Sequence, residues 1–367
     1  MSSARNLQYR RAAVRAGLRY VTDGVAGIHR KRSGKGWSYI APRGGVIRDR
    51  DLRRRIDALA IPPAWTDVWI CPDPDGHIQA TARDGRGRKQ YRYHPSYREA
   101  RDRSKFRRMI AFSETLPLLR ERLEHDLGAA PLTRKQVLAA VVLQLDRTLI
   151  RVGNDEYARE NRHYGLTTLR RRHVHVKGAE LQFAFRGKSG VEHCVSVSDP
   201  RIARIVQRCR DLAGEEMFQY LDAFGKRQTV SSEDVNSYLR AVTGRDITAK
   251  DFRTWGGTML AAVELRAMGT ASSRREADRN ILRAIDAVAV RLGNTRTVCR
   301  KYYVHPALLE AYHLGRTVPA SPHPRMRPHR RERPAAALRR DEVAVLRFLH
   351  EIVPDDGPAP AAPLRGE

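Results

Sequence analysis

Leu292-Gly293-Asn294-Thr295-Arg296-Thr297-Val298-Cys299-Arg300-Lys301-Tyr302-Tyr303-Val304-His305-Pro306 places two tyrosines behind a cluster of cations at the end of a helical run. A phenol is a poor nucleophile at neutral pH because its free pKa is about 10. A reactive one needs fixed positive charge beside it, and Arg296, Arg300 and Lys301 offer that charge. The same residues also fit a solvated basic helix with two half-buried aromatics, so the choice rests on the remainder of the chain.

Upstream of this stretch the pattern is helical for some 170 residues, interrupted once by strands. Thr133-Arg134-Lys135-Gln136 has the form of a capping box and opens a strongly apolar helix ending near Ile150. Arg151-Val152-Gly153-Asn154-Asp155-Glu156-Tyr157 follows. A guanidinium emerging from a buried helix needs an anionic partner, either a ligand or the nearby Asp155 or Glu156. Three short strands are expected at residues 174–176, 180–185 and 192–196, the last two joined by Arg186-Gly187-Lys188-Ser189-Gly190. Gly187-Lys188-Ser189 is not a phosphate-cradling P-loop, because Gln182 stands where the first glycine belongs and the flanks read as a hairpin. It leaves a lysine on a hairpin tip, able to bring a proton donor into a site. Helices are expected again at residues 200–212, 217–221 and 232–243, from Ala249 onward, and at 272–291.

The first hundred residues read as mostly strands. Residues 18–47 alternate between short runs and glycines, which suits hairpins with basic tips at His29-Arg30-Lys31-Arg32. Residues 49–59 form a short helix with Asp51 or its neighbour as cap and Leu52, Ile56 and Leu59 on one face. The turn Asp73-Pro74-Asp75-Gly76 joins two further strands. Then Arg86-Gly87-Arg88-Lys89 leads into Gln90-Tyr91-Arg92-Tyr93-His94. As a strand this puts Tyr91 and Tyr93 on one face and Gln90 and Arg92 on the other. Stacking rings beside amide and guanidinium donors can grip phosphates and base edges. A half-buried strand with a charged rim fits the segment equally well.

The chain of 367 residues carries a net charge of +28 and a pI near 10.8, which points to a polyanion such as DNA or RNA. No apolar run has the length of a membrane span, and the arginine-rich first twenty residues lack the apolar core of a signal peptide. Cys71, Cys194, Cys209 and Cys299 are widely spaced, which fits a reducing cytoplasm and neither a disulfide framework nor a zinc ribbon. Charged helical spacing begins near residue 98, and Pro/Arg-rich sequence near 318. The expected division is therefore 1–97, 98–317 and a tail of 318–367. In that tail, residues 335–352 have an amphipathic helical pattern with Val343, Leu346, Leu349 and Ile352 apolar. Residues 319–334 and 354–367 are expected to be unstructured.

Arg151 in Ile150-Arg151-Val152-Gly153, Lys188 on its hairpin, Lys250-Asp251-Phe252-Arg253-Thr254, and Tyr303 in Tyr303-Val304-His305-Pro306 occur in the order and context of the type IB DNA topoisomerases. The chain resembles their compact bacterial and poxvirus branch over roughly residues 20–315, and several motifs in order are far more specific than one. The resemblance implies an α+β fold: a small strand-rich N-terminal domain, and a mainly α-helical catalytic domain with a three-stranded sheet, closing as a clamp on double-stranded DNA. It implies a single-chain cytoplasmic enzyme of a bacterial nucleoid that requires no ATP, metal or other cofactor.

By the same resemblance Tyr303, rather than its neighbour Tyr302, is the nucleophile that forms a 3′-phosphotyrosyl link. Arg151 and Arg253 stabilise the charged transition state, Lys188 is the general acid assisted by Lys250, and Arg88, Gln90, Tyr91, Tyr93 and Tyr157 contact DNA. Many family members have histidine where this chain has Asn294, whose neutral amide donates a hydrogen bond but cannot take up a proton. Tyrosine recombinases share the chemistry, but they usually have histidine at the position of Lys250 and a helical N-terminal domain. A noncatalytic DNA-binding protein would explain the charge but not the ordered motifs.

Overall fold

Five alternating runs between residues 28 and 93 pair into one antiparallel sheet in the computed structural model of the protein, which describes residues 2–128, 132–319 and 338–353. The chain divides into two compact units, Met1–Arg107 and Arg108–Glu367.

In the first unit, helix α1 (Ser2–Arg15) precedes strands β1 (Ile28–Ser33) and β2 (Gly36–Ile40), helix α2 (Arg50–Ala58), and strands β3 (Thr66–Ile70), β4 (Ile78–Arg83) and β5 (Lys89–Tyr93). The sheet order is β2-β1-β3-β4-β5, so β5 is an edge strand. Ile56 of α2 packs with Ile28, Tyr39, Val68 and Ile70 into the core, flanked by Leu52 and Leu59 as their helical spacing predicts. The cap of α2 is Asp49, whose side chain accepts the Leu52 N–H at 2.7 Å, while Asp51 lies in the first turn. Two expectations need correction. His29–Arg32 lies within β1 rather than at a tip, the turn being Gly34-Lys35. Helix α1 carries only scattered apolar residues and gave no periodic signal; Ala13 and Leu18 just beyond it pack on Tyr97.

Helix α3 (Pro95–Leu127) contains the division between the two units. In the second unit follow α4 (Arg134–Thr148), α5 (Asp155–Asn161), β6 (Val174–Lys177), β7 (Glu180–Arg186), β8 (Glu192–Ser198), α6 (Pro200–Asp211), β9 (Gln219–Leu221), β10 (Arg227–Thr229), α7 (Ser232–Thr243), α8 (Ala249–Met268), α9 (Arg274–Leu292), α10 (Arg296–Tyr302), α11 (Pro306–His313) and α12 (Arg340–Ile352). Strands β6, β7 and β8 form the expected three-stranded antiparallel sheet. Residues 217–221, expected as helix, instead feed β9, which pairs with β10; a five-residue apolar run carries no periodicity that separates the two states.

Helix α4 is buried almost all round, from Gln136 to Leu145, and is the central rod of this unit. Thr133 caps it by accepting the Gln136 N–H, but the Gln136 amide donates to the Leu127 carbonyl instead of closing the box. The helix ends at Leu149 in a left-handed conformation, φ 57°, which costs a non-glycine residue about 1–2 kcal/mol.

Helix α12 docks on α8 and α11. Its buried face is Val345, Phe348 and Leu349, with Glu342 turned inward; Val343 and Leu346 are only half-buried, so the face is rotated from the one read in the sequence. Glu342 meets Arg120 of α3 through two hydrogen bonds of 2.7 and 2.8 Å, and Arg120 also holds Asp146 of α4 at 3.0 Å. Residues 320–334, 335–337 and 354–367 of the expected tail lie outside the described residues.

Candidate active site

The expected local cations do not serve Tyr303. Arg296 is bonded to Asp286 at 2.6 and 2.7 Å, Arg300 is exposed, and the Lys301 ammonium sits over the Tyr302 ring. The charge around Tyr303 arrives instead from distant segments. The Arg253 guanidinium carbon lies 5.2 Å from the centre of the Tyr303 ring. Tyr303, Arg253, Arg151, Lys250, Lys188 and Tyr157 all line one cavity of about 430 Å³.

Each side chain is held by its own segment. Tyr303 caps the C-terminus of α10, its N–H donating to the Cys299 carbonyl. Its own carbonyl accepts the Thr258 hydroxyl at 3.2 Å, and the same hydroxyl accepts the His305 N–H at 3.1 Å. Gly257 makes this approach possible, since a Cβ there would stand 2.7 Å from the Tyr303 oxygen. Arg253, 4% exposed, donates to the carbonyls of Leu149 and, at 2.8 Å, of Leu292. The left-handed end of α4 thus presents a carbonyl to this arginine.

Arg151 donates to the Asn294 side-chain oxygen at 2.5 Å and, more weakly, to the Gly293 carbonyl at 3.5 Å. Asp155 and Glu156 are exposed in the first turn of α5 and do not bond to Arg151. Among the described residues, neither Arg151 nor Arg253 has a carboxylate partner. The loop carrying Arg151 is braced by Leu166 and Thr167, whose N–H groups donate to the Arg151 and Val152 carbonyls at 2.9 and 2.7 Å. Gly165 is required there, because a Cβ would lie 2.6 Å from the Arg151 oxygen.

Lys188 is exposed at the tip between β7 and β8, where Ser189 adopts φ 64°. The tip is tied down by Gly187 N–H to the Val191 carbonyl at 2.7 Å and Tyr164 N–H to the Arg186 carbonyl at 2.8 Å. Lys250 is exposed in the first turn of α8. Asn294 is not on the cavity wall but reaches it through Arg151, and its amide nitrogen is buried without a partner among the described residues.

The electrostatics follow from this crowding. Burial opposes ionisation of the Tyr303 phenol, but the charge and hydrogen bonding of Arg253, then Arg151 and Lys250, outweigh it and hold the phenol below its ordinary value. Burial and the facing Arg253 lower the Arg151 pKa, yet a guanidinium remains charged at neutral pH. The cavity therefore offers two anchored guanidiniums, two exposed ammoniums and an acidified phenol around a space lined by no carboxylate among the described residues. Such a set suits an anion with several oxygens.

His163, Tyr164 and His193 were not anticipated. His163 and Tyr164 line the cavity. The His193 ring packs against Gly187 beside Lys188 and Gly293 beside Asn294; Cβ atoms on those glycines would lie 2.6 and 2.7 Å from it. Burial, then Arg151 and Arg253, depress its pKa, so it is a neutral wedge between the two segments. Its place as every second residue of a strand was visible in the sequence, but its glycine partners are distant from it.

The expected DNA contacts Arg88, Gln90, Tyr91 and Tyr93 belong to the first unit. Tyr91 and Tyr93 share one face of β5 with their rings stacked at 5.7 Å, Tyr91 being the more exposed. Gln90 and Arg88 both donate to Asp84 at 2.9 Å, and Arg92 donates to the Ala60 carbonyl at 2.7 Å.

Comparison with known proteins places this arrangement. The family described as Eukaryotic DNA topoisomerase I, catalytic core, matches residues 94–315, and that described as Bacterial DNA topoisomerase IB, N-terminal domain, matches 36–84. DNA topoisomerase 1B of Acanthamoeba polyphaga mimivirus is 33% identical over 297 residues, 78% of this chain and 88% of its own. DNA topoisomerase I of Monkeypox virus and DNA topoisomerase 1B of Vaccinia virus are each 21% identical over 229 residues, 62% of this chain and 70% of theirs. The chain belongs to the type IB DNA topoisomerases, enzymes of the isomerase class whose substrate is DNA. No helix among the described residues is long and apolar enough to cross a membrane.

Proposed function

We propose that the chain relaxes supercoiled duplex DNA by cutting one strand through a covalent bond to Tyr303 and resealing it. The Tyr303 oxygen attacks a backbone phosphorus and its proton passes to water. The bond from phosphorus to the 5′-oxygen breaks, leaving a 3′-phosphotyrosyl link and a free 5′-hydroxyl. One phosphodiester replaces another, so the bond energy is conserved in the link and no nucleotide need be hydrolysed. Resealing is the reverse step, after the free end has swivelled.

The residues divide the work by chemical type. Negative charge gathers on the nonbridging oxygens in the transition state, and Arg151 and Arg253 offer permanently charged, forked donors to them. Lysine would fit poorly at either position. The departing 5′-oxygen needs a proton, for which Lys188 on its hairpin is the donor, with Lys250 assisting from the start of α8. Asn294 orients Arg151 and contributes less than a charged group would. Arg88, Gln90, Tyr91, Tyr93 and Tyr157 contact the duplex, the first two on release from Asp84. The enzyme acts as a monomer, without ATP or metal, in a bacterial cytoplasm at the nucleoid.

The observation that carries this reading is the phenol of Tyr303 facing two guanidiniums that have no carboxylate partner among the described residues. Incubation with supercoiled plasmid in EDTA without ATP tests it. Relaxation is expected, with protein attached to 3′ ends after denaturation. Relaxation that needs a nucleotide or a metal would refute the mechanism.

A further inference from the structure

The first unit contains a second cavity, of about 490 Å³, between the end of α2, the end of β5 and the first turn of α3. Its walls carry three arginines, Arg55, Arg92 and Arg98, together with His94, and no aspartate or glutamate among the described residues lines it. Among the described residues each guanidinium donates to amide oxygens, and Arg92 also lies over the Trp65 ring, 5.2 Å from its centre. Arg55 donates to the Gln79 side chain at 2.7 Å and the Cys71 carbonyl at 2.6 Å. Arg92 donates to the Ala60 carbonyl at 2.7 Å, and Arg98 to the Tyr93 carbonyl at 3.2 Å. The Nε of Arg92 is buried without any partner among the described residues.

Other arginines of the same unit are paired with carboxylates: Arg19 with Asp73 at 3.1 Å, Arg83 with Asp67 at 3.5 Å, Arg88 with Asp84 at 2.8 Å. Among the described residues, none of the three cavity arginines has such a partner. Burial depresses the Arg55 guanidinium, opposed only by Cys71 and by Asp73, which is already bonded to Arg19. Helix α3 also begins on this wall, at Pro95, and its 33 residues place the positive end of a helix dipole beside the arginines. Arg55 and Arg92 are half-buried and Arg98 is exposed, and none of the three has a carboxylate partner among the described residues; such a cluster calls for an anion, and forked donors match the oxygens of phosphate.

We infer that this cavity is a phosphate-binding site in which Arg55, Arg92 and Arg98 surround the oxygens of one phosphate group. The group is either a phosphodiester of the bound duplex or a free phosphate; the chemistry of recognition is the same. The inference rests on DNA being the substrate but not on any catalytic role assigned above, and it is read by binding alone.

The test uses the full chain carrying Tyr303→Phe, so that bound duplex stays uncut, and compares Arg55→Gln/Arg98→Gln with Arg55→Lys/Arg98→Lys. Duplex affinity is measured by anisotropy from 50 to 200 mM KCl. Loss of one phosphate contact lowers the slope of log affinity against log salt by about 0.9, so the Gln pair should lose about 3.5-fold less affinity than its parent across that range. The Lys pair should keep the parent's slope. In parallel, inorganic phosphate is titrated and its phosphorus resonance followed. A reduced slope assigns the site to the duplex. An unchanged slope, with broadening of the phosphate line by the parent and not by the Gln pair, assigns it to free phosphate. If neither readout separates the Gln pair from its parent, the site does not exist. Arg98→Gln alone, at an exposed position, gives the same comparison should the pair fail to fold.

Discussion

Replacing Gly257 with alanine should disable cleavage while leaving the fold and DNA binding in place. The added Cβ would stand 2.7 Å from the Tyr303 carbonyl oxygen and 3.1 Å from the Tyr303 Cβ, whereas ordinary contact begins at 3.4 Å. The tyrosine backbone must therefore retreat by about 0.7 Å, or α8 must yield, and the clash falls on backbone that cannot rotate aside. The Thr258 hydroxyl that holds this carbonyl at 3.2 Å is the next residue along the same helix, so the retreat also stretches that bond. Displacing a reacting group by about 1 Å costs on the order of 100-fold in rate. Stability changes less, because the helix gains about 1 kcal/mol from replacing glycine while overpacking costs about 1–3 kcal/mol.

Single-turnover cleavage of a duplex substrate, duplex anisotropy and thermal melting separate these effects. Gly256→Ala is the control, since the nearest atoms its Cβ would meet belong to the Leu149 side chain, the Cδ atoms at 2.5 and 2.6 Å and the Cγ at 3.1 Å, and not to the Tyr303 backbone. Cleavage by Gly257→Ala within about threefold of the parent would refute the placement of Tyr303 against α8 as the basis of its geometry.

Asn294→Ala should slow cleavage about tenfold, the low end of what a hydrogen bond to a charged group is worth, and Arg151→Ala on the order of 100-fold or more; equal losses in a single-turnover assay would contradict the subordinate role of Asn294. The Tyr303 phenol lies below its ordinary value, so the second-order cleavage rate should rise with pH and level off before about 10. Arg151→Ala should move that break upward, and a break that stays put would remove the electrostatic argument. Glu342 lies buried against Arg120, and although burial alone would raise its pKa, Arg120 outweighs this and the pKa is lowered. Its stabilisation is therefore complete above the unfolded value of about 4.3 and is lost as pH falls through the lower folded value. Glu342→Gln should flatten that acid limb of a melting-temperature profile, and Glu342→Ala should cost about 3 kcal/mol at pH 7 by removing one of the carboxylates paired with buried Arg120.

The strands of the first unit and the three-stranded sheet of the second were legible because alternation and turn residues are local signals. Helix α4 was legible because the near-continuous apolar run of residues 137–145, broken only by Gln144, follows a capping-box sequence at Thr133. Residues 217–221 were misread for the converse reason, since their state is set by pairing with β10. The sequence placed Arg151, Arg253, Lys250, Lys188 and Tyr303 together only through the order of their motifs; no local signal says that Arg253 reaches Tyr303 while Arg296, seven residues from it, turns away to Asp286. His193 escaped notice because, apart from its stacking on the paired Phe185, its ring is admitted by Gly187 and Gly293, and glycines advertise nothing about the ring they admit. The inward face of α12 was rotated by a charge: Glu342 is polar in sequence and buried in the fold because Arg120, 222 residues away, awaits it.

The central claim is that one phenol exchanges places with a DNA alcohol. It is tested most directly by trapping the enzyme on a duplex labelled on the 5′ side of the cut, the fragment whose 3′-phosphate the tyrosine would hold, digesting the denatured adduct, and sequencing the labelled peptide by mass spectrometry. The account predicts a nucleotide on Tyr303 in the parent and no adduct from Tyr303→Phe, which should still bind duplex with its full salt dependence. A nucleotide on Tyr302, or an adduct that survives Tyr303→Phe, would contradict it.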